Sequence, residues 1–503
     1  MRPFPLTAFL ILPALAFAQG QLTPPDGAIG PRGPVPTMKT LDQVEPRTPL
    51  RTGSHGVTQN VNGGFTISAS GSYYLEGNLS VGTGDGIIIE VGNVSIDLSG
   101  FTISSFASPA NGSGINVDGD HSNIAIRNGH ITGTTTYDYA TSTFIGGGFN
   151  NGVLAYGGTK CRGRSATGIS VVGMGETGIT LCGNGATISD CTVSTCAGLG
   201  LHADTVRDST GMTCEGQVIE AKTVSNCYAS GVNTAHFYTI RAETVTNCQA
   251  SADAGDGIRA FTVINSIGSS DSGIGIFAEQ TATGCYGTTS SGAAGLQTGT
   301  AENCRGFVIG RNGKGTGIGL WTGIATGCYG TSTSGIGLKA YQNATNCTGD
   351  SGSSTGLFAV VATGCGGNST SGIGLQAAQN ATGCTGTTAS GSNGLLVGDT
   401  GAAGTAENCR GIVTGGTGIG LAAETAANCF GQSTAGTGLI AATATNCSAY
   451  TASGAIAMRI DGSANNCRGN NSKAGGIAIQ ATIAVSCTTA GGTISAPNKY
   501  NMP

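Results

Sequence analysis

The chain has 503 residues, including 89 glycines, and only 10% of its residues are charged and 5% are aromatic. This composition is unusual for a globular enzyme and typical of a solenoid, whose turns need glycine and whose coils have narrow interiors. The net charge is −5 and the sequence has no basic run, which excludes the electrostatic footprint of a nucleic-acid-binding protein.

Residues 1–18 have the pattern of a secretory signal peptide. Arg2 precedes an apolar stretch, and Ala16-Phe17-Ala18 forms a small-residue cleavage site. The stretch is too short to span a bilayer, and no later segment is apolar enough for a transmembrane helix. We therefore expect a secreted or cell-surface protein without a transmembrane segment.

The rest of the chain divides by composition and regularity. Residues 19–50 are rich in proline and predict a flexible leader. Residues 51–135 contain short apolar strands with large side chains, which predict an N-terminal cap and wider first coils. Residues 136–187 are less regular and include a Gly- and Tyr-rich excursion, residues 188–495 are regular, and residues 496–503 form a tail.

A short segment ending in cysteine returns every 18 to 25 residues from about position 190 onward. The residue before the cysteine position is Asn, Asp or Gly in fifteen of sixteen repeats, and these residue types tolerate positive φ. The cysteine occurs in fourteen repeats, with Ser209 and Ser266 as substitutes. We expect a structural role for the bend residue and the cysteine that follows it, as in Asn226 and Cys227, Asn247 and Cys248, Asn303 and Cys304, Asn346 and Cys347, Asn408 and Cys409, Asn428 and Cys429, Asn446 and Cys447, and Asn466 and Cys467.

A second recurring segment alternates large apolar residues with Gly or Ala, as in Ile318-Gly319-Leu320. A period of two residues indicates a strand with one buried face. Each repeat of about 19 residues then holds three short strands and a left-handed bend. Because one coil cannot bury its apolar face alone and stacked coils can, the pattern predicts an all-β parallel β-helix solenoid of roughly 22 coils.

This pattern resembles the right-handed parallel β-helix proteins of the pectin-lyase-like superfamily. The resemblance is carried by the Ala-Thr-Asn-Cys segment at 344–347 and by the stretch from Gly114 to Thr132, and it covers roughly residues 60 to 495. It implies the fold, and with the crossover rule for parallel strands it implies the right-handed sense. It does not define an activity, because the superfamily includes lyases, hydrolases, epimerases, adhesins and inert rods.

The chain contains 18 cysteines, 14 of them at the same place in the repeat. Stacked residues on adjacent rungs lie about 4.8 Å apart, within disulfide range. The uninterrupted ladder from Cys285 to Cys487 holds eleven cysteines, an odd number that cannot pair completely, so we favour a buried ladder of free thiols. One or two disulfides are expected among the four cysteines outside the ladder, Cys161, Cys182, Cys196 and Cys214. Because the ladder is linear, we expect no metal site in it and no cofactor.

Two polar patches are candidate catalytic sites. Polysaccharide lyases and hydrolases on this fold use carboxylates, Arg, Lys or His on an outer strand face, some with calcium, so calcium is expected only under this interpretation. A structural role is the simpler interpretation, because several of these residues lie at turns where Asp and Asn are common. The first patch contains Asp118, Asp120, His121, Arg127 and His130, and the second contains Asp253, Asp256 and Arg259.

A mixed aromatic and basic strip is the candidate binding surface. Its members follow the cysteine position of their repeats and therefore share one outer face. Such a strip suits an extended glycan, through ring stacking and hydrogen bonds, although an ordinary exposed surface has the same composition. The members are Tyr228, Tyr286, Arg305, Tyr329, Arg410, Phe430 and Arg468.

The leading interpretation is a secreted β-helix surface or matrix protein without an evident catalytic site, which binds extracellular polysaccharide. The alternatives are a polysaccharide lyase or glycoside hydrolase of the pectin-lyase-like type, and a purely structural rod. Nothing in the sequence defines the oligomeric state.

Overall fold

The computed structural model describes residues 47–158, 160–232, 238–310, 315–398 and 403–502, and two short backbone strands before them. The chain divides into the units Met1–Arg47 and Thr48–Pro503. In the first unit, Ile29–Gly30 pairs antiparallel with Gly33–Pro34; the predicted signal peptide and most of the leader lie outside the described residues. The second unit is a parallel β-solenoid of about 21 turns, which confirms the predicted fold class.

The described residues contain only strands, turns and bends, and none of them forms a helix long and apolar enough to cross a membrane. Three parallel sheets run along the solenoid, and we call them the first, second and third faces in the order in which each coil meets them. Strands confined to one face are two to five residues long, and strands that cross a corner are seven to eleven residues long. The short span on each face suits the small cross-section that the composition predicts.

The first face carries the Ile/Leu strands of the repeat. Strands confined to it are Phe65–Ile67, Ile87–Ile89, Ser113–Val117, Asn151–Ala155, Thr177–Leu181, Tyr238–Arg241, Leu338–Ala340, Asn393–Val397, Ile419–Ala422, Leu439–Ala441 and Thr493–Ser495. Strands that continue around the corner into the second face are Leu201–Arg207, Ile219–Ser225, Asp256–Ile264, Ile276–Thr283, Ala294–Glu302, Ile318–Thr326, Leu357–Thr363, Leu375–Thr382, Ile456–Asn465 and Ile477–Val485.

The second face ends at the left-handed bend. Strands confined to it are Thr48–Pro49, Gly71–Tyr74, Val94–Asp97, Thr187–Ser189, Thr244–Thr246, Asn343–Thr345, Thr405–Glu407, Thr425–Ala427, Thr443–Thr445 and Asn498–Tyr500. Two long strands, Ile124–Thr132 and Arg164–Met174, cross from it into the third face.

The third face begins after the bend. Its other strands are Leu79–Val81, Thr102–Ser105, Thr192–Cys196, Thr210–Cys214, Tyr228–Gly231, Gln249–Ala252, Ile267–Ser270, Tyr286–Thr289, Arg305–Val308, Tyr329–Ser332, Thr348–Ser351, Gly366–Ser369, Thr385–Thr388, Arg410–Val413, Phe430–Ser433, Ser448–Thr451, Arg468–Asn471 and Thr488–Gly491. Outside the three faces, Thr136–Asp138 pairs antiparallel with Thr143–Ile145 as a separate hairpin, and Val57–Gln59 pairs antiparallel with Phe65–Ile67.

The interior narrows along the solenoid. On the third face the inward position is occupied by Ile131 in an early coil, then by Val171 and Val193, and by glycine in most coils from Gly268 onward. A Cβ atom on Gly319 of the first face would collide with the backbone of Thr331 on the third face. The first and third faces therefore pack backbone against backbone in the later coils, and the Gly of the Ile-Gly-Leu motif is required by this contact.

The bend between the second and third faces has left-handed backbone geometry in every repeat. Positive φ is found at all sixteen predicted bend residues, for example 52° at Asn346 and 49° at Asn466. The side-chain amides also bond along the stack, since Asn466 Nδ2 donates to Asn446 Oδ1 at 2.8 Å. Asn thus stabilises the bend twice, by tolerating φ > 0 and by linking adjacent coils.

The cysteine after the bend forms hydrogen bonds with backbone N–H and C=O groups that flank the bend. Cys347 Sγ accepts a hydrogen bond from the Cys328 backbone N–H at 3.4 Å and donates one to the Thr345 carbonyl at 3.2 Å. Ser209 makes the same two contacts, accepting from the Cys191 N–H at 3.1 Å and donating to the Arg207 carbonyl at 2.7 Å. This position therefore selects a small side chain that both donates and accepts.

All 18 cysteines are free thiols in the structure. The structure contains none of the disulfides expected among the four cysteines outside the ladder, although Cys196 and Cys214 stack in register on adjacent third-face strands with their thiols in hydrogen-bonding contact. Within the ladder, hydrogen bonding to the Cys328 thiol, together with burial, raises the pKa of Cys347 to about 11. At neutral pH this thiol is protonated and unreactive.

We predict that Cys347→Ser is tolerated and Cys347→Ala is not. Ala leaves the buried Cys328 N–H without its acceptor, which costs about 1–3 kcal/mol of unfolding free energy, whereas Ser keeps both hydrogen bonds. Denaturant unfolding of both variants, followed by circular dichroism, measures the difference. Equal losses in the two variants would show that the thiol contributes packing alone.

Candidate functional site

The outward side chains of the first face form a row in the middle of the solenoid. Each lies in register with its neighbour on the next strand, so the row follows the stacking axis. At about 4.8 Å per rung, consecutive members are one strand spacing apart. The members are Arg241, Arg259, Phe277, Gln297, Trp321, Lys339 and Phe358.

At one end of this row, a guanidinium group lies between two rings. The Cζ atom of Arg259 is 4.9 Å from the centroid of the Tyr238 ring and 4.6 Å from that of Phe277. Its Nη1 donates to the Tyr238 hydroxyl at 3.1 Å and lies 3.9 Å from Asp256 Oδ2. The stacking and the hydrogen bond fix the orientation of both the cation and the rings.

At the other end, an ammonium group lies among three rings. Lys339 Nζ is 4.7 Å from the centroid of Tyr341 and 5.9 Å from those of Trp321 and Phe358. The Trp321 and Tyr341 rings are 6.0 Å apart. Tyr341 is 47% exposed, so the ring cluster is open to a ligand.

Two adjoining depressions run beside the row, at the corner between the first and second faces. One has a volume of about 200 Å³ and is bordered by Tyr238 and Arg259; the other has about 320 Å³ and is bordered by Phe277 and Trp321. Glu279 borders both of them. The strand pairing shifts register at this corner, as between Ala278 and Thr281 of one strand. We call the row and these depressions the first-face groove.

Asp256 lies beside Arg259, near the groove that Glu279 borders. Burial raises the pKa of Asp256, while a hydrogen bond from the Ile274 N–H and the charge of Arg259 oppose the shift. Burial and the neighbouring Asp271 also raise the pKa of Asp253. Of the second predicted patch, the structure brings Asp256 and Arg259 together at the groove.

The residues of the first predicted patch are spread over three separate segments. Arg127 lies on the second face and pairs with Asp97 at 3.3 Å, whereas His130 lies on the third face. Asp120 lies in the loop between the first and second faces, where hydrogen bonds from the Gly158 N–H and then the Cys161 thiol hold its pKa below the ordinary value. Asp118 and His121 belong to the same loop.

Arg164, which the sequence analysis did not select, explains the order of this loop. It is 1% exposed. Its guanidinium donates to the carbonyls of Gly119, His121, Ala155, Tyr156 and Cys182, at 2.7–3.1 Å, and to Cys161 Sγ at 3.3 Å. These acceptors come from successive coils, so Arg164 links coils where the repeat is least regular. We assign this cluster a structural role.

The predicted aromatic and basic strip lies on the third face, in one register column. Within it, Tyr286, Arg305 and Tyr329 occupy consecutive strands, and further along the Arg410 guanidinium lies 5.3 Å from the Phe430 ring centroid. Tyr228 is separated from the first group by Gln249 and Ile267 and borders an open depression of about 640 Å³. Arg468 is separated from Phe430 by Ser448.

Neither protein families nor curated proteins gave a match. Among solved structures, the A-module of the Azotobacter vinelandii mannuronan C-5 epimerase AlgE6 aligns at 13% identity, over 86% of this chain and 89% of that module, with a TM-score of 0.15. A similarity of that size carries no argument about activity, and membership of the pectin-lyase-like superfamily stays a prediction.

We predict that Asp256 titrates above the ordinary carboxyl range and that Arg259→Met raises its pKa further, because the opposing positive charge is lost. Since the folded pKa exceeds the unfolded one, this group's contribution to stability is full at low pH and is lost as pH rises through the folded pKa. Arg259→Met should therefore destabilise the protein more at pH 7 than at low pH.

Carboxyl ¹³C NMR titration, with Asp256→Asn to assign the signal, measures this pKa. Arg241→Met is the matched control, because Arg241 pairs with Glu220 at 3.1 Å and not with Asp256. A pKa for Asp256 at or below the ordinary value would contradict the prediction.

Proposed function

We propose that the protein is a secreted β-helix surface or matrix protein that binds an extended extracellular polysaccharide along the first-face groove. The observation that carries the proposal is the in-register row of rings, cations and Gln297 from Arg241 to Phe358, with two depressions beside part of it. Secretion rests on the signal-like residues 1–18.

The chemistry of the row suits a sugar polymer. The C–H faces of pyranose rings pack on aromatic rings, and their hydroxyl groups need donors and acceptors close to those rings. The groove supplies rings at Phe277, Trp321 and Tyr341, and hydrogen-bonding groups at Gln297 and Glu279 between them. The strand spacing of about 4.8 Å is similar to the length of one pyranose unit, so successive sugars meet successive rungs.

The local order of the groove favours binding. Arg259 and Lys339 hold their neighbouring rings in fixed orientations, so little side-chain entropy is lost when a ligand packs on them. The groove runs along the stacking axis, and it therefore accommodates a chain rather than a single sugar.

Polysaccharide cleavage is a second candidate function. The observation that favours it is Asp256, whose pKa is raised by burial beside Arg259 at the groove. A carboxyl group with a raised pKa is a suitable general acid or base. Calcium enters only under this alternative.

We predict that Trp321→Ala with Tyr341→Ala weakens polysaccharide binding strongly. Covering about 50 Å² of each ring is worth roughly 1.25 kcal/mol at ~25 cal/mol/Å², so the pair contributes about 2.5 kcal/mol, or roughly sixtyfold in affinity. Co-elution from a size-exclusion column with dextran, hydroxyethylcellulose, carboxymethylcellulose and polygalacturonate, with and without calcium, identifies the polymer and measures the loss.

The matched control is Tyr450→Ala, which removes a ring from the third face several coils beyond the first-face groove. Trp321→Phe with Tyr341→Phe should retain binding. Unchanged co-elution of the Ala double variant, or failure of every polymer to bind, would contradict the proposal. Shortening of a polymer that Asp256→Asn abolishes would instead support cleavage.

A further inference from the structure

We propose that the third face carries a second polysaccharide-binding surface, at the same level of the solenoid as the first-face groove, so that one molecule binds two chains and cross-links them. This inference rests on the proposed function and adds a second site and a consequence to it. The surface consists of Tyr286, Arg305, Phe307 and Tyr329, with Ile267 beside them; we call it the third-face cluster.

The third-face cluster repeats the chemistry of the first-face groove. The Phe307 ring centroid lies 5.0 Å from that of Tyr286 and 5.7 Å from that of Tyr329. The Tyr329 hydroxyl bonds to the carboxylate of Asp350, which in turn accepts a hydrogen bond from Asn368 at 2.8 Å. Rings, a cation and fixed polar groups thus follow one another on consecutive strands.

Both surfaces belong to the same coils. Phe277 and Tyr286 are nine residues apart in one coil, and Trp321 and Tyr329 are eight residues apart in another. In each pair the first residue lies on the first face and the second on the third face. A coil that presents a ring to one surface therefore presents a ring to the other.

The two surfaces lie on the outward sides of two sheets, the first and third faces, whose backbones pack directly against each other. Side chains cannot separate the first and third faces here, because a Cβ atom on Gly319 would collide with Thr331 and one on Gly330 with the backbone of Gly337. Since the sheets pack back to back, their outward side chains leave the protein in different directions. A single extended chain cannot pack on both rows at once.

The exposed area favours a sugar chain over a protein partner. Tyr286 is 37% exposed and Ile267 45%, and the two other rings are half-buried. With about 200 Å² per aromatic side chain, the cluster exposes roughly 300 Å² of apolar surface, well below the ~800 Å² that each partner contributes to a stable protein interface. Stacking against sugar rings needs far less area, because each ring is a separate contact.

Two double variants separate the surfaces: Trp321→Ala with Tyr341→Ala on the first face, and Tyr286→Ala with Tyr329→Ala on the third. Circular dichroism checks folding, Tyr450→Ala is the control, and Tyr286→Phe with Tyr329→Phe should behave as wild type. Each variant is mixed with every polymer of the panel that the wild-type protein retains, and retention and light scattering are recorded together.

We expect wild-type protein to increase the apparent mass of the polymer severalfold, beyond the mass of bound protein. The third-face Ala double variant should still be retained through the first-face groove but should lose that increase. The first-face Ala double variant should lose the increase and keep only weak retention through the third face, and the quadruple variant should lose retention altogether, because two linked sites give avidity that one site cannot. Loss of cross-linking by a third-face variant that still binds is the signature of two separate sites.

Two results would overturn the inference. Cross-linking by the third-face variant at the wild-type level would show that this cluster binds no chain, while leaving the first-face groove intact. A smaller mass of that variant without polymer, by size exclusion with light scattering, would show that the cluster joins two copies of the protein. The proposed function itself fails in a different way, when the first-face variant binds like wild type.

Discussion

Each repeat of the solenoid turns at a bend that takes one residue into the left-handed region. In several coils the side chain of the Cys or Ser that follows the bend in the next coil accepts the backbone N–H of the residue after the bend. It also donates to a carbonyl of its own coil, so that Cys347 accepts from Cys328 and donates to Thr345. A buried N–H without an acceptor is costly. These hydrogen bonds between neighbouring coils therefore keep the coils in register. Because the coils are in register, equivalent outward side chains form rows on each face.

The register has a consequence for the surface. Because side chains alternate across a strand, every outward residue of a face lies directly above the matching residue of the preceding coil. Substituting rings and cations at one outward position in successive coils, as from Phe277 to Phe358, creates a continuous row without any dedicated domain. Glycines allow the backbones of the first and third faces to pack directly against each other. The outward sides of these two faces can therefore each carry one such row.

The fold could be predicted because local residue types determine it: Asn, Asp and Gly mark the left-handed bends, and a period of two marks the strands. The third-face strip was found because its members directly follow the cysteine position. The first-face row was missed for a geometric reason. Its members precede that position by seven residues at Trp321 and Phe358 and by eight at Phe277 and Lys339, since bulges at the corner add a residue in some coils. When the repeats are aligned on their cysteines, the members of the row therefore fall at two different positions. The strand pairing in the structure shows that they belong to one row. Arg164 was missed because its acceptors are backbone carbonyls, which no side-chain motif reveals.

The central claim is that a polysaccharide lies on the ring row of the first face. Hydroxyl-radical footprinting by mass spectrometry, with and without the polymer that co-elutes with the protein, tests it directly. The account predicts that Trp321 and Tyr341 are oxidised severalfold more slowly in the complex, while Tyr450 is unchanged. A complex in which Trp321 and Tyr341 are oxidised as fast as in the free protein would contradict the account and place the polymer elsewhere on the solenoid.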